Sequence, residues 1–231
     1  MAALGIAPYP ENLTDRYRWA TVLALRVCGD SLWLLDHAEL GGHETKPPSL
    51  FRVDLHTDRV NFQRDFNKQE ARGMLNDFVC SNDGQSLFIA DAGISSESYA
   101  IVRFDMRTNL ATRHLEGHVS TLPVDLVPVI GGRVPLEMPW KVGVDSIGIR
   151  RKVVGSIYDT ESVRLPGQPV IENRELERGT GEELVFSSIY STHFWRIDTR
   201  ALRLDPETGE DRAIHAVHAL GLEGAHSKTV S

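Results

Sequence analysis

The stretch that decides the fold is residues 75–105, LNDFVCSNDGQSLFIADAGISSESYAIVRFD. It contains three short apolar runs, and turn residues such as Asn82, Asp83 and Gly84 separate them. Short runs of β-branched and aromatic residues that alternate with turns are typical of an antiparallel meander. The stretch therefore predicts three strands, and the sequence LATRHL that follows at 110–115 predicts a fourth.

The same pattern recurs on both sides of this stretch. Asp36 and Asp91 end the second strands of the first two copies, and Asp54 and Asp105 end their third strands. Both landmarks return with a period of about fifty residues, which is typical of propellers or solenoids. Each repeat then buries against its neighbours the faces that it cannot bury alone.

This period predicts an all-β fold, a β-propeller of four-stranded antiparallel blades. One domain at 19–231 follows an irregular lead-in at 1–18, and the predicted blades are 19–66, 73–116 and 141–205. Residues 150–181 lie between two strands of the last blade and show no period, although structureless connections beyond roughly 15 residues are uncommon in compact domains. We interpret this segment as an insertion or a disordered loop, and the tail at 201–231 is long enough to begin a further blade but not to complete one.

Composition excludes several classes of function. The chain has 231 residues and a formal charge of −7, and its 25 basic residues form no block that would bind phosphates. No apolar run approaches the roughly 18 residues that span a bilayer, so neither nucleic-acid nor membrane partners are expected. The N-terminus lacks a basic start and its apolar part is broken by prolines, so it is a poor secretory signal. A complete chain of this sequence would be cytoplasmic.

The two cysteines, Cys28 and Cys80, each close the first strand of a predicted blade. They would occupy equivalent places on neighbouring blades, and we expect their Cα atoms to be farther apart than the roughly 7 Å limit for a disulfide. We interpret both as buried free thiols, since a free cysteine packs as a small hydrophobe.

Four strings resemble the major royal jelly protein and yellow family in their order and spacing. They are LRVCGDSLWLLD at 25–36, LND at 75–77, YAIVRFD at 99–105 and GVDSIGI at 143–149. The resemblance runs from about residue 25 to 205, with 150–181 outside it. It implies a six-bladed propeller of a usually secreted family, in which some relatives convert dopachrome and many have no known activity. Six blades need about 300 residues, so the chain resembles a truncated member of bacterial or fungal type.

Asn76, Asp77 and Asp145 are the candidate site residues. Asn76 and Asp77 begin one innermost strand, Asp145 begins the next, and propeller sites gather at one mouth of the channel that such strands line. The arrangement is similar to gluconolactonase and senescence-marker propellers, which implies Asn76 and Asp145 as ligands of a divalent cation such as calcium. Calcium takes six to eight oxygen ligands, and only these two are found. The favoured interpretation is therefore that these residues hydrogen-bond the turns at which the strands begin.

Two histidine-containing segments were weighed as metal sites. The loop at 36–44, DHAELGGHE, concentrates acidic residues and imidazoles, but a glycine-containing loop gives no defined ligand geometry, and a solvated loop is favoured. His215 and His218 lack the intervening glutamate of a zinc-protease motif, so surface histidines are favoured. No Gly-x-Ser-x-Gly elbow or nucleotide-binding glycine pattern is present.

The sequence thus predicts a yellow/royal-jelly-like propeller that binds a small ligand at the channel mouth, with no catalytic residue that can be assigned. The alternative is an enzyme of the same fold, either a metal-dependent gluconolactonase-like hydrolase or a dopachrome-conversion-like tautomerase. The residues fix no cofactor beyond the candidate divalent cation, and they identify no protein partner. Secretion is implied by the family resemblance alone.

Overall fold

The computed structural model describes residues 9, 19–38, 46–94, 96–124, 141–151, 181–189 and 191–220. Within these residues the fold is all-β, and twelve strands form three four-stranded antiparallel sheets. Each sheet follows chain order from one edge to the other, as the meander pattern predicted. No helix in this described part is long and apolar enough to cross a membrane.

The strands agree closely with the sequence prediction in the first two repeats. Sheet 1 consists of β1 (Val22–Cys28), β2 (Ser31–Asp36), β3 (Ser49–Asp54) and β4 (Arg59–Asp65). Sheet 2 consists of β5 (Leu75–Cys80), β6 (Ser86–Asp91), β7 (Ala100–Asp105) and β8 (Leu110–His114). Sheet 3 consists of β9 (Val144–Arg151), β10 (Glu182–Ser188), β11 (Phe194–Asp198) and β12 (His218–Leu220).

Sheet 3 corrects the expectation for the tail. His218–Leu220 pairs with β11 as the fourth strand of sheet 3, so the described part of the tail belongs to the third sheet and not to a further blade. Two short 3₁₀ helices, Thr199–Ala201 and Arg212–His215, lie between the third and fourth strands. They make this connection longer than in the other sheets, so the repeat spacing did not predict the pairing. The segment predicted to be an insertion or disordered loop contributes Arg150 and Arg151 to the end of β9, and its central part lies outside the described residues.

The three sheets pack face to face in chain order, as propeller blades do. Apolar side chains of sheets 1 and 2 form one core, around Trp33, Phe78 and Phe104, and those of sheets 2 and 3 form a second, around Phe88 and Phe186. The first strand of each sheet, β1, β5 and β9, lies beside its neighbour. We call these three the inner strands. The described sheets form a sector with propeller-like blades, and a closed ring is not seen among them.

The cysteines join the first two sheets, contrary to the expectation of free thiols. Cys28 at the end of β1 and Cys80 at the end of β5 form a disulfide, with their Cα atoms 6.2 Å apart. This separation lies within the range of ordinary disulfides. The prediction was wrong because the inner strands β1 and β5 of neighbouring sheets lie close together.

A buried hydrogen-bond network joins sheets 2 and 3 at their outer side. His114 is fully buried, and its Nδ1 lies 2.7 Å from Oδ1 of Asp211, while its Nε2 lies 2.8 Å from Oγ1 of Thr112. The backbone N–H of Leu115 donates to the other Asp211 oxygen at 2.6 Å. Burial raises the pKa of Asp211, but hydrogen bonds from His114 and Leu115 outweigh it and hold the pKa below its ordinary value.

Candidate functional site

Each inner strand contains a β-bulge at the same position of the repeat. One residue has no Cα partner on the neighbouring strand, namely Leu23 in β1, Asn76 in β5 and Asp145 in β9. A bulge bends its strand and redirects the extra side chain, and bulges are over-represented next to active sites. Two of the three predicted site residues are therefore bulge residues, and Asp77 directly follows one of them.

In sheets 1 and 2, one buried aspartate opposite the bulge holds the chain segment that leads into the inner strand. Asp36 accepts hydrogen bonds from the backbone of Ala20 and Thr21, and Asp91 accepts one from the backbone of Gly73. Both aspartates are fully buried. The aspartates that revealed the repeat thus have a structural role, because they fix the start of the bulged strand.

The third sheet has a serine at this position. Ser188 pairs with Val144, just before the bulge, and its hydroxyl donates to the carbonyl of Leu122 at 2.7 Å. A hydroxyl can donate to a carbonyl, whereas a carboxylate only accepts. In the first two repeats this position therefore holds the residues just before the inner strand, whereas in the third repeat it contacts Leu122, which lies well before Val144 in the chain.

The bulged ends of the inner strands enclose one open pocket of about 470 Å³. We call it the inner-strand pocket. Its lining residues are Leu23, Ala24, Leu25, Arg26, Asn76, Asp77, Asp145, Ser146 and Ile147. All three sequence-predicted site residues line it, so residues up to 69 positions apart in the chain meet in one place. Their ligand-binding and metal-binding roles remain predictions.

Asn76 and Asp145 contact each other directly in this pocket. The side-chain amide of Asn76 donates a hydrogen bond to Oδ1 of Asp145. Burial and the nearby negative charge of Asp77 raise the pKa of Asp145, and the bond from Asn76 opposes this only in part. A carboxyl group with a raised pKa in a pocket is a candidate for binding or proton transfer.

Arg26 is the pocket residue that the sequence analysis missed. Its Nη2 lies 2.7 Å from each carboxylate oxygen of Asp77, and its Nη1 donates to the carbonyl of Leu25 at 2.9 Å. Arg26 pairs with Trp33 across sheet 1, as Val79 pairs with Phe88 across sheet 2. An arginine where the next repeat has a buried valine was the available signal.

The described residues of the two histidine-containing segments form no cluster of metal ligands. Asp36 directs its carboxylate to backbone groups and to Nζ of Lys46 at 2.5 Å, and residues 39–45 of that loop lie outside the described residues. His215 ends a 3₁₀ helix and His218 begins β12. Within the described ranges, no three His, Cys, Asp or Glu side chains are grouped so that they could hold a metal ion. The side-chain oxygen atoms that line the pocket belong to Asn76, Asp77, Asp145 and Ser146.

Comparison with known proteins adds little to this geometry. No protein-family model matches the chain. No curated protein matches it. Among solved structures, it is similar to one described as acylaminoacyl peptidase in complex with Z-Gly-Gly-Phe-chloromethyl ketone, with a TM-score of 0.36 and 13% sequence identity. The match covers 89% of this chain and 26% of the peptidase chain, so the chain spans about a quarter of that structure. A likeness of this degree carries no functional argument.

Proposed function

We propose that this chain is a small-ligand-binding protein of the yellow/royal-jelly type, and that the inner-strand pocket is its binding site. The three sheets would then be three blades of a six-bladed propeller. The observation that carries the proposal is the repeated bulge, which brings Leu23, Asn76 and Asp145 from three strands into one pocket. A bulge disrupts strand pairing locally, so an unbulged strand would pair better with its sheet. We therefore attribute the bulge at the same position of all three inner strands to the pocket that these residues line.

The pocket's lining indicates the chemistry of the ligand. Asp145 supplies a carboxylate and Asn76 an amide, and the aliphatic residues Leu23, Leu25 and Ile147 also line the pocket. Its volume of about 470 Å³ suits a small organic molecule. A small cation with an apolar body satisfies both parts, since the cation pairs with Asp145 and the body packs on the aliphatic side chains. A small aromatic amine is such a molecule.

Isothermal titration calorimetry with two matched probes tests this function. Tyramine carries an ammonium group, and 4-ethylphenol has the same ring without it. We expect tyramine to bind the wild-type protein at least about tenfold more tightly than 4-ethylphenol, because a charge-assisted hydrogen bond is the stronger kind. Asp145→Asn should abolish this preference. Asp30→Asn is the matched control, since that aspartate is exposed at a turn.

Two results would contradict the proposal. The first is the absence of saturable tyramine binding to the folded wild-type protein. The second is an equal loss of binding in Asp145→Asn and Asp30→Asn, which would place the ligand outside the pocket.

The alternative is an enzyme of the same fold, and one observation favours a tautomerase. Asp145 has a raised pKa in an open pocket, as a group that accepts and returns a proton requires. A dopachrome-type tautomerase would lose turnover in Asp145→Asn while retaining substrate binding. A lactone hydrolase would instead need a bound divalent cation, and elemental analysis should then detect a metal that Asn76→Ala removes.

The disulfide supports the secretion that the family resemblance implies. Disulfides persist in oxidising compartments and are rare in the reduced cytosol, and Cys28 and Cys80 are both only partly buried. We infer that the protein functions outside the cytosol. Mass spectrometry after rapid alkylation of cells tests this, and two alkylated cysteines in the native protein would contradict it.

A further inference from the structure

The ion pair between Arg26 and Asp77 is a feature of the pocket that ligand binding alone does not explain. One guanidinium nitrogen of Arg26 lies 2.7 Å from both oxygens of Asp77. Oδ1 of Asp77 also accepts the backbone N–H of Phe78 at 2.8 Å. Both oxygens of this carboxylate thus already have partners, and its charge is balanced within the protein.

The remaining donors fit a divalent cation poorly. Calcium requires six to eight oxygen ligands, and the described pocket offers oxygens only from Asn76, Asp77 and Asp145 among its amide and carboxylate groups. Asp77 is paired with Arg26, and Asn76 directs its nitrogen to Asp145. A guanidinium in the same pocket also repels any added cation, and it repels a divalent ion twice as strongly as a monovalent one.

The repeat shows that this positive charge is specific to the first inner strand. The positions equivalent to Arg26 are Val79 in β5 and Gly148 in β9. Each of these three residues lies three positions after the bulge residue of its inner strand. Neither Val79 nor Gly148 carries a charge. The strand position therefore accepts an apolar side chain, and the fold does not require an arginine there.

We propose that Arg26 determines the charge selectivity of the inner-strand pocket. Its guanidinium occupies Asp77 as an internal cation and leaves Asp145 as the acid that faces a ligand. The pocket then binds an organic ligand that donates a hydrogen bond to Asp145 and carries a single positive charge or none, and it excludes a divalent metal ion. This inference concerns the site of the proposed function, but it predicts a result with a metal ion alone.

The test is a calorimetric titration with Ca²⁺ as the only ligand. We expect the wild-type protein to show no saturable binding below about 1 mM, the weak end of the range for protein calcium sites. Arg26→Val copies the second repeat and frees Asp77. It should bind Ca²⁺ at least about tenfold more tightly, because a unit charge a few ångströms from the ion has been removed and water can fill the coordination positions that the protein leaves open. The double variant Arg26→Val/Asp77→Asn should lose this gain.

Three outcomes would overturn the inference. They are saturable Ca²⁺ binding by the wild-type protein, a folded Arg26→Val variant without gained affinity, and a gain that survives Asp77→Asn. Circular dichroism establishes folding, and Arg26→Gln replaces Arg26→Val if the valine variant does not fold. Since no organic ligand is present, the inference can fail while tyramine binding is found, and it can hold while tyramine binding is absent.

Discussion

Reduction of the Cys28–Cys80 disulfide is expected to destabilise the protein by about 4 kcal/mol. The bond closes a loop with a sequence separation of 52 residues. A cross-link of this span restricts the unfolded chain, and the chain-entropy relation gives about 4 kcal/mol at 25 °C. The folded state keeps the Arg26–Asp77 ion pair and the core between sheets 1 and 2, so the loss should appear mainly as lower stability.

Guanidinium chloride denaturation measures this effect. The oxidised wild-type protein is compared with the same protein in a phosphine reductant and with the Cys28→Ala/Cys80→Ala variant. We expect the reduced protein and the variant to unfold at similar, lower denaturant concentrations. The reductant should leave the unfolding of the alanine variant unchanged, which controls for effects of the reductant itself.

A difference below about 1 kcal/mol between oxidised and reduced protein would refute the entropic reasoning, because even a 15-residue loop is worth about 3 kcal/mol in that relation. Two free thiols in the purified protein, counted by alkylation and mass spectrometry, would refute the disulfide itself. They would restore the interpretation that the sequence favoured.

Three further predictions concern single substitutions. Asp211→Ala should lower the free energy of unfolding by about 2–3 kcal/mol at neutral pH, because it leaves the buried His114 without its carboxylate partner. Urea denaturation should show a smaller difference from the wild type as the pH falls below 3.8. The folded-state pKa of Asp211 is lowered, so protonation removes the same stabilisation from the wild-type protein. Gly143→Ala should lower stability by about 1–3 kcal/mol, because an added Cβ would overlap neighbouring atoms, whereas Gly148→Ala, where the nearest atom is 3.9 Å away, should change thermal stability little. Asp145→Asn should raise the melting temperature slightly at pH 7 and not at pH 3. The pKa of Asp145 is raised in the folded protein, so ionisation of this carboxyl destabilises the folded state as the pH rises. An equal change in melting temperature at both pH values would contradict the raised pKa.

Much of the fold could be predicted because strand and turn patterns are local. Apolar runs bounded by turns located nearly all strands of sheets 1 and 2, and the recurrence of Asp36 and Asp91 gave the repeat. The fourth strand of sheet 3 was missed because His218–Leu220 is only three residues long and is separated from β11 by two helical turns. Its place depends on pairing with a distant strand, which a short segment does not encode by itself.

Part of the candidate site could likewise be predicted from the sequence, and part could not. Asn76, Asp77 and Asp145 could be selected from the sequence because they begin equivalent strands, and an equivalent place in a repeat implies proximity. Arg26 was missed, because its partner Asp77 lies 51 residues away and their pairing depends on how two sheets pack. The only signal in the sequence was the contrast with Val79 at the equivalent position of the second repeat.

By itself, the sequence determined the strand order, the repeat and the polar residues at the start of the inner strands, because hydrophobic periodicity and turn chemistry act between near neighbours. Only the tertiary structure decided which of these residues meet. The meeting of Asn76 with Asp145, the disulfide between Cys28 and Cys80, and the pairing of Arg26 with Asp77 all depend on inner strands that lie side by side but belong to different sheets. Their distance is set by the packing of whole sheets, and no local pattern of residues records it.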